Sequence, residues 1–540
     1  MGEEAGMADV TEPGSRMPAP GVAADAATEA GSRLSRRRFL KVAVAGGVAL
    51  GVSSLGYWGV ESHTRARSSA AASAPSTSAP STSTPPSPSP SSATGLPRLY
   101  RSRPDLSSPL ISLTVPGLYA AAGQLFLTPA TGPGPIVFDN TGSPVWIHSV
   151  PGKRVFNLRV ASYKGAPVLT WWEGTLVTGT GHGEYVLVDQ TYSEVARVRA
   201  GNGLQGDLHE FITTPEGTAL FTAYSQQATP GSGAESGAVP LLDSIVQEVD
   251  IATGRLLFEW RASDHVATSE SYVGPSAGQA FDYFHVNSID VDTDGNLLIS
   301  ARHTSAVYKI DRRSGEVIWR LGGRRSDFAM GPGTVFAWQH DARRQPDGSI
   351  SLFDDGSNGS KPPTESQSRG LVLDVNESTH ATTLLRQYSH VGGILATSQG
   401  SMQPLSNGNV LVGWGDQPYF TEFAANGSVV MDARLPAGST SYRALRFAWN
   451  GRPADHPAIA MEQSDAGTTT VYASWNGATD VATWVVLGGD APDGLVALGS
   501  QPRSGFETAI VVPGRPLLVA VRALDSSGAV LTQSLPLEAD

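Results

Sequence analysis

Phe284-His285-Val286-Asn287-Ser288-Ile289-Asp290-Val291-Asp292-Thr293-Asp294-Gly295-Asn296-Leu297-Leu298-Ile299-Ser300 reads as a histidine-led strand, a glycine turn and a second apolar strand. The plan recurs in Asp207-Leu208-His209…Glu216-Gly217 and in Gln339-His340-Asp341…Asp347-Gly348, the glycine lying eight to ten residues beyond the histidine each time. Stacked or radially arranged repeats superpose equivalent positions, so a histidine at one register of a repeated β-unit recurs at one place in space. The spacing predicts a convergent cluster of His209, His285 and His340.

Working outward, each of these hairpins is followed by a second one of the type Val307 to Trp319, and similar alternation occurs at Ile245 to Trp260, Tyr185 to Val198 and Pro135 to Trp146. Matching first hairpins without histidine lie at Asn157…Lys164-Gly165 and Gly400…Asn407-Gly408. Pairing first with second hairpins gives about six units at a spacing on the order of 50–60 residues, close to a four-stranded blade. The expected fold is all-β, a six-bladed β-propeller over residues 97–452; a parallel β-helix would need much shorter repeats. Sixty glycines and 37 prolines, with few helix-period runs, agree with short strands and turns.

Residues 453–540 change character. Val471-Tyr472-Ala473-Ser474-Trp475, Ala482 to Leu487 and Leu517 to Arg522 alternate as strands, and predict a β-sandwich of fibronectin type III kind with Trp475 and Trp484 in its core. No chemistry is read in it.

The first residues are address and tether. Residues 1–34 are acidic and alanine-rich, read as a disordered extension with Met7 and Met17 as alternative starts. In 35–62, Ser35-Arg36-Arg37-Arg38-Phe39-Leu40-Lys41 precedes the uncharged run Val42 to Val60, a twin-arginine export signal or a membrane anchor. Either places the body outside the cytoplasm, with the twin-arginine translocase as a partner during export. Residues 63–96, nearly all Ala, Ser, Thr and Pro from Ser68 to Ser92, read as a flexible linker.

The formal charge of −12 argues against a nucleic-acid partner, which needs clustered cations. The absence of cysteine excludes disulfides, thiolate nucleophiles and cysteine-ligated metal centres.

Arg302 follows the strand Leu297 to Ala301, and strand alternation sends it to the face opposite His303. Three imidazoles and a guanidinium suit an anion that is both bound and transferred: the arginine matches a tetrahedral oxyanion, and a neutral imidazole acts as nucleophile, acid or base near pH 7. A histidine-ligated metal is the competing use, which the guanidinium disfavours. A single histidine at a blade entry would simply satisfy a backbone carbonyl; three in one register favour a site. Asp290 to Gly295 resembles the start of a calcium loop, but Ala301 stands where the bidentate glutamate belongs, and the sister segments are ordinary turns. Gly274 to Gly278 matches a nucleophile-elbow string without its strand and helix. His303, His380 and His390 fall outside the register and are read as structural or surface residues. Trp171, Trp172, Phe284 and Trp338 are read as core by default, and as an aromatic platform where near the channel.

Phe284 to Ile289, then Ser300-Ala301-Arg302-His303, Trp319 to Gly323, Gln339-His340-Asp341 and Leu352 to Gly356 resemble the arylsulfate sulfotransferases, in their mainly actinobacterial and fungal branch. Thr170 to Gly174 and Asp207 to Glu210 belong to the same pattern, so the resemblance covers about residues 100 to 450. It implies an exported six-bladed propeller that moves a sulfuryl group from an aryl sulfate to a phenol without a nucleotide donor, a metal or a cofactor. By motif, His340 would be the nucleophile forming a transient sulfohistidine. His209, His285 and Arg302 would hold sulfuryl oxygens and move the phenolic proton, with Asn287, Trp171, Trp172, Phe284 and Trp338 contacting substrate. The mechanism implied is double displacement, with acid inactivation starting from an ordinary imidazole midpoint of about 6.5. Enterobacterial members are similar but carry their extra β-domain before the propeller, and a disulfide. A non-catalytic binding propeller and a polysaccharide lyase or hydrolase remain the alternatives.

Overall fold

The structure, a computed structural model, describes residues 96–227 and 239–539. The expected extension, export signal and almost all of the linker lie outside the described residues. Apart from a four-residue helix, Ala262–His265, and two short 3-10 turns, the described elements are strands. None of the described helices is long and apolar enough to cross a membrane.

Six successive antiparallel meanders form the body, each opening on one inner strand: β1 (Arg154–Tyr163), β2 (Gly206–Thr213), β3 (Val286–Val291), β4 (His340–Arg344), β5 (Ser401–Pro404) and β6 (Leu445–Phe447). In the meander of β3, Leu297–Ala301, Ala306–Ile310 and Val317–Gly322 follow in order, which is the first-hairpin, second-hairpin plan expected from sequence. The last meander is composite: β6 pairs with Gln124–Leu127, so the end of the body completes its beginning. Ser112–Val115 adds a fifth strand to the outer edge of the β5 meander. A Gly206–Gly183 pairing joins the meanders of β1 and β2 into one sheet.

The inner strands touch in a closed cycle, β1 to β2 and onward through β6 back to β1. The result is a propeller-like ring. Strand alternation buries one face of each meander against the next, and six apolar clusters fill the six junctions; Leu298, Val307, Trp319 and Leu321, for instance, meet Ala342, Ile350, Leu352 and Leu371. Gly400, at φ +104°, lets the entry to β5 lie flat on Phe353: a Cβ there would sit 2.3 Å from the ring.

Beyond residue 452, the sheet of Ala458–Gln463, Thr468–Ser474 and Glu507–Pro513 faces the sheet of Val496–Pro502, Thr483–Gly489, Leu518–Leu524 and Val530–Gln533. Trp484, Val471, Val486, Ile510 and Val521 form their shared core. This two-sheet unit docks on the outer edge of the composite meander, where the Asn476 amide exchanges 2.9 Å hydrogen bonds with both backbone groups of Ile147. The entering segment ties to it as well: the backbone N–H and hydroxyl of Ser102 each donate to Glu507 at 2.6 Å.

Candidate active site

Four inner strands are irregular at one level. Register shifts fall between Phe156 and Arg159, Gly206 and Phe211, Val286 and Ser288, and His340 and Arg343. Near them Asn157, His285, Asp341 and Gln399 hold positive φ of 56–69°. A regular strand sends neighbours to opposite faces; a bulge releases that constraint and re-aims side chains. Here adjacent residues serve two layers on the ring axis. His209, His340 and Tyr442 line the cavity, while their neighbours Glu210, Asp341 and Arg443 build an ion network.

The lower layer is centred on the fully buried Glu210. Arg443 donates to both Glu210 oxygens at 3.2 Å and to the Asn287 carbonyl at 3.1 Å. Arg343 bonds Glu210 and, at 2.8 Å, Asp341; Arg159 reaches Glu210 at 3.4 Å; Asp341 accepts the Met402 N–H at 3.2 Å. Burial would raise the Glu210 carboxyl, but Arg343, Arg443 and Arg159 outweigh it and hold it at about 2. The network joins strands from around the ring and fixes the floor beneath the histidines.

Above it lies a cavity of 1430 Å³ lined by His209, His285, Arg302, His303, His340 and Tyr442 among others. The three expected histidines do converge here: the His209 and His285 rings are 4.7 Å apart and edge-on, and the Tyr442 ring lies 5.7 Å from His209 and 6.2 Å from His340. Each histidine gives its Nδ1 to a carboxylate. His209 pairs with Asp207 at 2.6 Å, His285 with Asp282 at 2.5 Å and His340 with Asp355 at 2.7 Å. An orienting partner at one nitrogen fixes the ring and presents the other. Among the described residues the Nε2 atoms of His209 and His285 have no hydrogen-bond partner, and that of His340 accepts the Gln399 N–H at 3.2 Å. His340 Nε2 therefore carries a lone pair, and the ring proton sits on Nδ1 facing Asp355.

Burial lowers His340 well below an ordinary imidazole, and Arg302, His285 and His209 add to the effect. His285 is lowered likewise, by burial and then by His209 and Arg302. Burial pushes the Asp355 carboxyl well up, with Arg302 opposing. Burial would also raise Asp207, but the His209 ring and backbone N–H hold it low.

Arg302 sits with His303, not opposite it, because the strand ends at Ala301 and both residues belong to the turn that follows. One guanidinium nitrogen is 2.9 Å from His303 Nε2, another donates to the Thr397 carbonyl at 2.6 Å, and Nε is buried without a partner. The guanidinium lies 5.4 Å from the Trp338 ring, which supports it from beneath. His303, assigned a structural or surface role from sequence, lines the cavity; its ring is 4.6 Å from His285, and burial followed by His285 pushes it down to about 3. His380 and His390 stay outside, on Asp327 and Asp432.

The expected substrate contacts fare less well. Trp171 packs with Trp146 and His148; Trp172 donates to the Gly206 carbonyl inside the β1–β2 junction; Phe284 packs on Trp260 and Tyr308. All three are core: Trp171 and Trp172 from opposite faces of the strand Ala166–Val177, and Phe284 from the segment just before β3, pack into the junctions between meanders. Asn287 lies below the floor, its amide donating to the Gln339 carbonyl at 2.7 Å. Trp338 touches Arg302 and does not itself line the cavity.

Sequence reasoning missed Tyr442, Gln399 and Asp282. Tyr442 carries the clearest signal, since Tyr442-Arg443 repeats the plan of His209-Glu210 and His340-Asp341: one residue for the cavity, the next for the ion network. Its hydroxyl is buried, has no hydrogen-bond partner, and stays protonated because burial raises it. Donor atoms of Asp282, His285 and His303 lie within 4.8 Å of one another, a spacing a metal ion could use. The Nδ1 atoms of both histidines already bond to Asp282, and Arg302 adjoins the group, so the donors fit a hydrogen-bonded cluster better than a cation. The Asp290 to Gly295 stretch ends β3 and turns from Asp292 to Gly295, with Asp292 paired to Arg344 and Lys309.

The arylsulfotransferase (ASST) family model matches residues 159–435, a little over half of the chain. None of the curated proteins compared matches the chain. Among solved structures, a Bacteroides caccae protein of unknown function is 14% identical, covers 60% of this chain and 98% of its own, and has a TM-score of 0.39. A streptogramin B lyase is 9% identical over 67% of this chain and 94% of its own, at 0.32. An inactive virginiamycin B lyase from Staphylococcus aureus with quinupristin is 9% identical over 68% and 97%, at 0.31. Likeness at these scores carries no argument about this chain.

Proposed function

The chain belongs to the arylsulfotransferase family, and from that premise we propose that it moves a sulfuryl group from an aryl sulfate to a phenol through a sulfohistidine at His340. The observation that carries this reading is the His340–Asp355 pair, which keeps Nδ1 protonated and leaves an unprotonated Nε2 at the floor of the cavity.

In the first half-reaction Nε2 attacks sulfur in line, the N–S bond forms as the aryl O–S bond breaks, and the aryl oxygen leaves with the bonding pair as phenolate, which takes its proton from solvent. Arg302, with an unpartnered Nε, and the Tyr442 hydroxyl supply donors for the sulfuryl oxygens. In the second, the acceptor oxygen attacks sulfur, its proton passes to the free nitrogen of His209 or His285, and the N–S bond breaks. Both rings meet the requirement of a base with its other nitrogen anchored. The Gln399 N–H must give up its contact before Nε2 attacks.

Export is part of the proposal and is supported by the arginine-led apolar segment of residues 35–62. A fibronectin type III kind for residues 453–539 is supported by the two-sheet packing. None of the described residues of that unit lines the cavity.

The test is incubation of the purified protein with 4-nitrophenyl sulfate, with and without phenol, beside His340→Ala. Phenol-dependent nitrophenolate release, parallel double-reciprocal lines and loss in the variant are expected. Sequential kinetics would overturn the covalent route, and absence of release across several donors would favour a non-catalytic binding propeller.

A further inference from the structure

The cavity is larger than the transfer step needs, and the charge of its described lining residues is confined to one end. At 1430 Å³ it exceeds the roughly 300–1,000 Å³ of ordinary small-ligand sites. Charged residues make up 16% of the chain, yet the only Asp, Glu, Lys or Arg among the described lining residues are Asp282 and Arg302, both at the floor. The walls above carry no Asp, Glu, Lys or Arg among the described residues and mix apolar side chains with His182 and the amides of Gln205, Gln226 and Gln279. On one side the long hairpin of Ala166–Val177 and Thr180–Val188 carries Leu176 and Val177 at its tip, 46% and 41% exposed and facing the cavity. Leu204, Leu242, Ala277 and Ala280 continue the wall. Leu242 is held in place where its backbone N–H donates to Phe281 at 3.0 Å.

We propose that this wall is the acceptor subsite and that it selects uncharged, multi-ring phenols over single-ring and carboxylate-bearing ones. The inference rests on the sulfuryl-transfer reading and deepens it. In the second half-reaction the phenolic oxygen must reach sulfur on His340 at the floor, so the remainder of the acceptor points up the cavity toward Leu242 and Leu176. Apolar side chains left open to water are covered when such an acceptor binds, and each further ring removes more apolar surface from solvent. A carboxylate placed there would lose its hydration and find no Lys or Arg among the described wall residues.

Three acceptors decide the matter with the full chain and 4-nitrophenyl sulfate as donor: phenol, 4-phenylphenol and 4′-hydroxybiphenyl-4-carboxylate. Rates are normalised to the acceptor-independent nitrophenolate burst, which counts functional sites. The expected kcat/KM for 4-phenylphenol is about tenfold or more above that for phenol, from burial of one more ring, and the carboxylate removes that gain. In Leu242→Arg the order of the two biphenyl acceptors reverses, because the wall then offers a cation. Equal values for the three acceptors with the burst intact would overturn this proposal and leave the transfer reading standing. Absence of a burst in the unaltered protein would overturn both. Should Leu242→Arg fail to fold, the comparison in the unaltered protein decides alone.

Discussion

Asp355 Oδ2 and His340 Nδ1 meet at 2.7 Å across one hairpin: His340 opens β4, and Asp355 follows the partner strand Ile350–Asp354. The pairing selects the imidazole tautomer, because a ring that must present Nε2 as a lone pair needs an acceptor for its other proton. Asp355→Asn keeps the shape and, with its amide N–H₂ turned to the ring, favours the wrong tautomer. The expected result is a loss of kcat of about 10²–10⁴-fold with the fold intact, by analogy with the Ser-His-Asp template. Steady-state kinetics with a circular dichroism check tests it; unchanged kcat would remove Asp355 from the mechanism.

Acid inactivation begins lower than an ordinary imidazole implies. Burial depresses the protonation of His340, and Arg302, His285, His209 and Arg443, which face it, add to the effect; Asp355 lies at its Nδ1. A depressed imidazole stays neutral, and so nucleophilic, below its ordinary 6.5. The acid limb of kcat/KM should therefore fall below pH 6.5, which moves the midpoint expected from sequence. The depressed imidazoles His285, His303 and His340 also link to stability. Their contribution is full above the unfolded imidazole value and is lost as pH falls toward the folded values, about 3 for His303. A pH–rate profile and denaturant titrations at several pH values check both signs.

Tyr442→Phe removes one unpartnered hydroxyl from the cavity and nothing else. A hydrogen bond to a charged group contributes enough that kcat/KM should drop about 10–100-fold, with stability unchanged or slightly raised because a buried orphan is gone. Kinetics beside thermal unfolding separate the two effects; unchanged kcat/KM would place the hydroxyl outside the reaction.

Glu210→Gln is the structural counterpart. It leaves Arg159, Arg343 and Arg443 close together without their shared carboxylate, and breaking a buried pair costs about 3–5 kcal/mol. In the unaltered protein the same carboxylate contributes stability that is present above its ordinary 4.5 and lost as pH falls toward about 2. Urea unfolding at neutral and acid pH should show the variant less stable and less dependent on pH in that window.

The repeat was legible because two-residue alternation and turn glycines report strands directly, and the spacing of His209, His285 and His340 reports their equivalence. What escaped were residues governed by breaks in that periodicity. Arg302 and His303 share a site because the strand ends one residue earlier than alternation supposes. Trp171, Trp172 and Phe284 read from sequence as core by default and as a platform only if near the channel, and the contacts between meanders decide for the core. Tyr442 was hidden because its role depends on closure of the ring by distant chain.

That closure has a consequence for assembly. β6 pairs with Gln124–Leu127 across more than three hundred residues of intervening sequence, and Arg443, two residues before it, reaches Glu210 in the floor. Non-local contacts of this span form late and raise the entropic barrier to folding. A nascent chain emerging only as far as residue 440 already contains every histidine of the site, but neither Tyr442 nor Arg443 and no closing strand. Competence for catalysis thus arrives in the last step of folding, and an interrupted chain is silent rather than partly active.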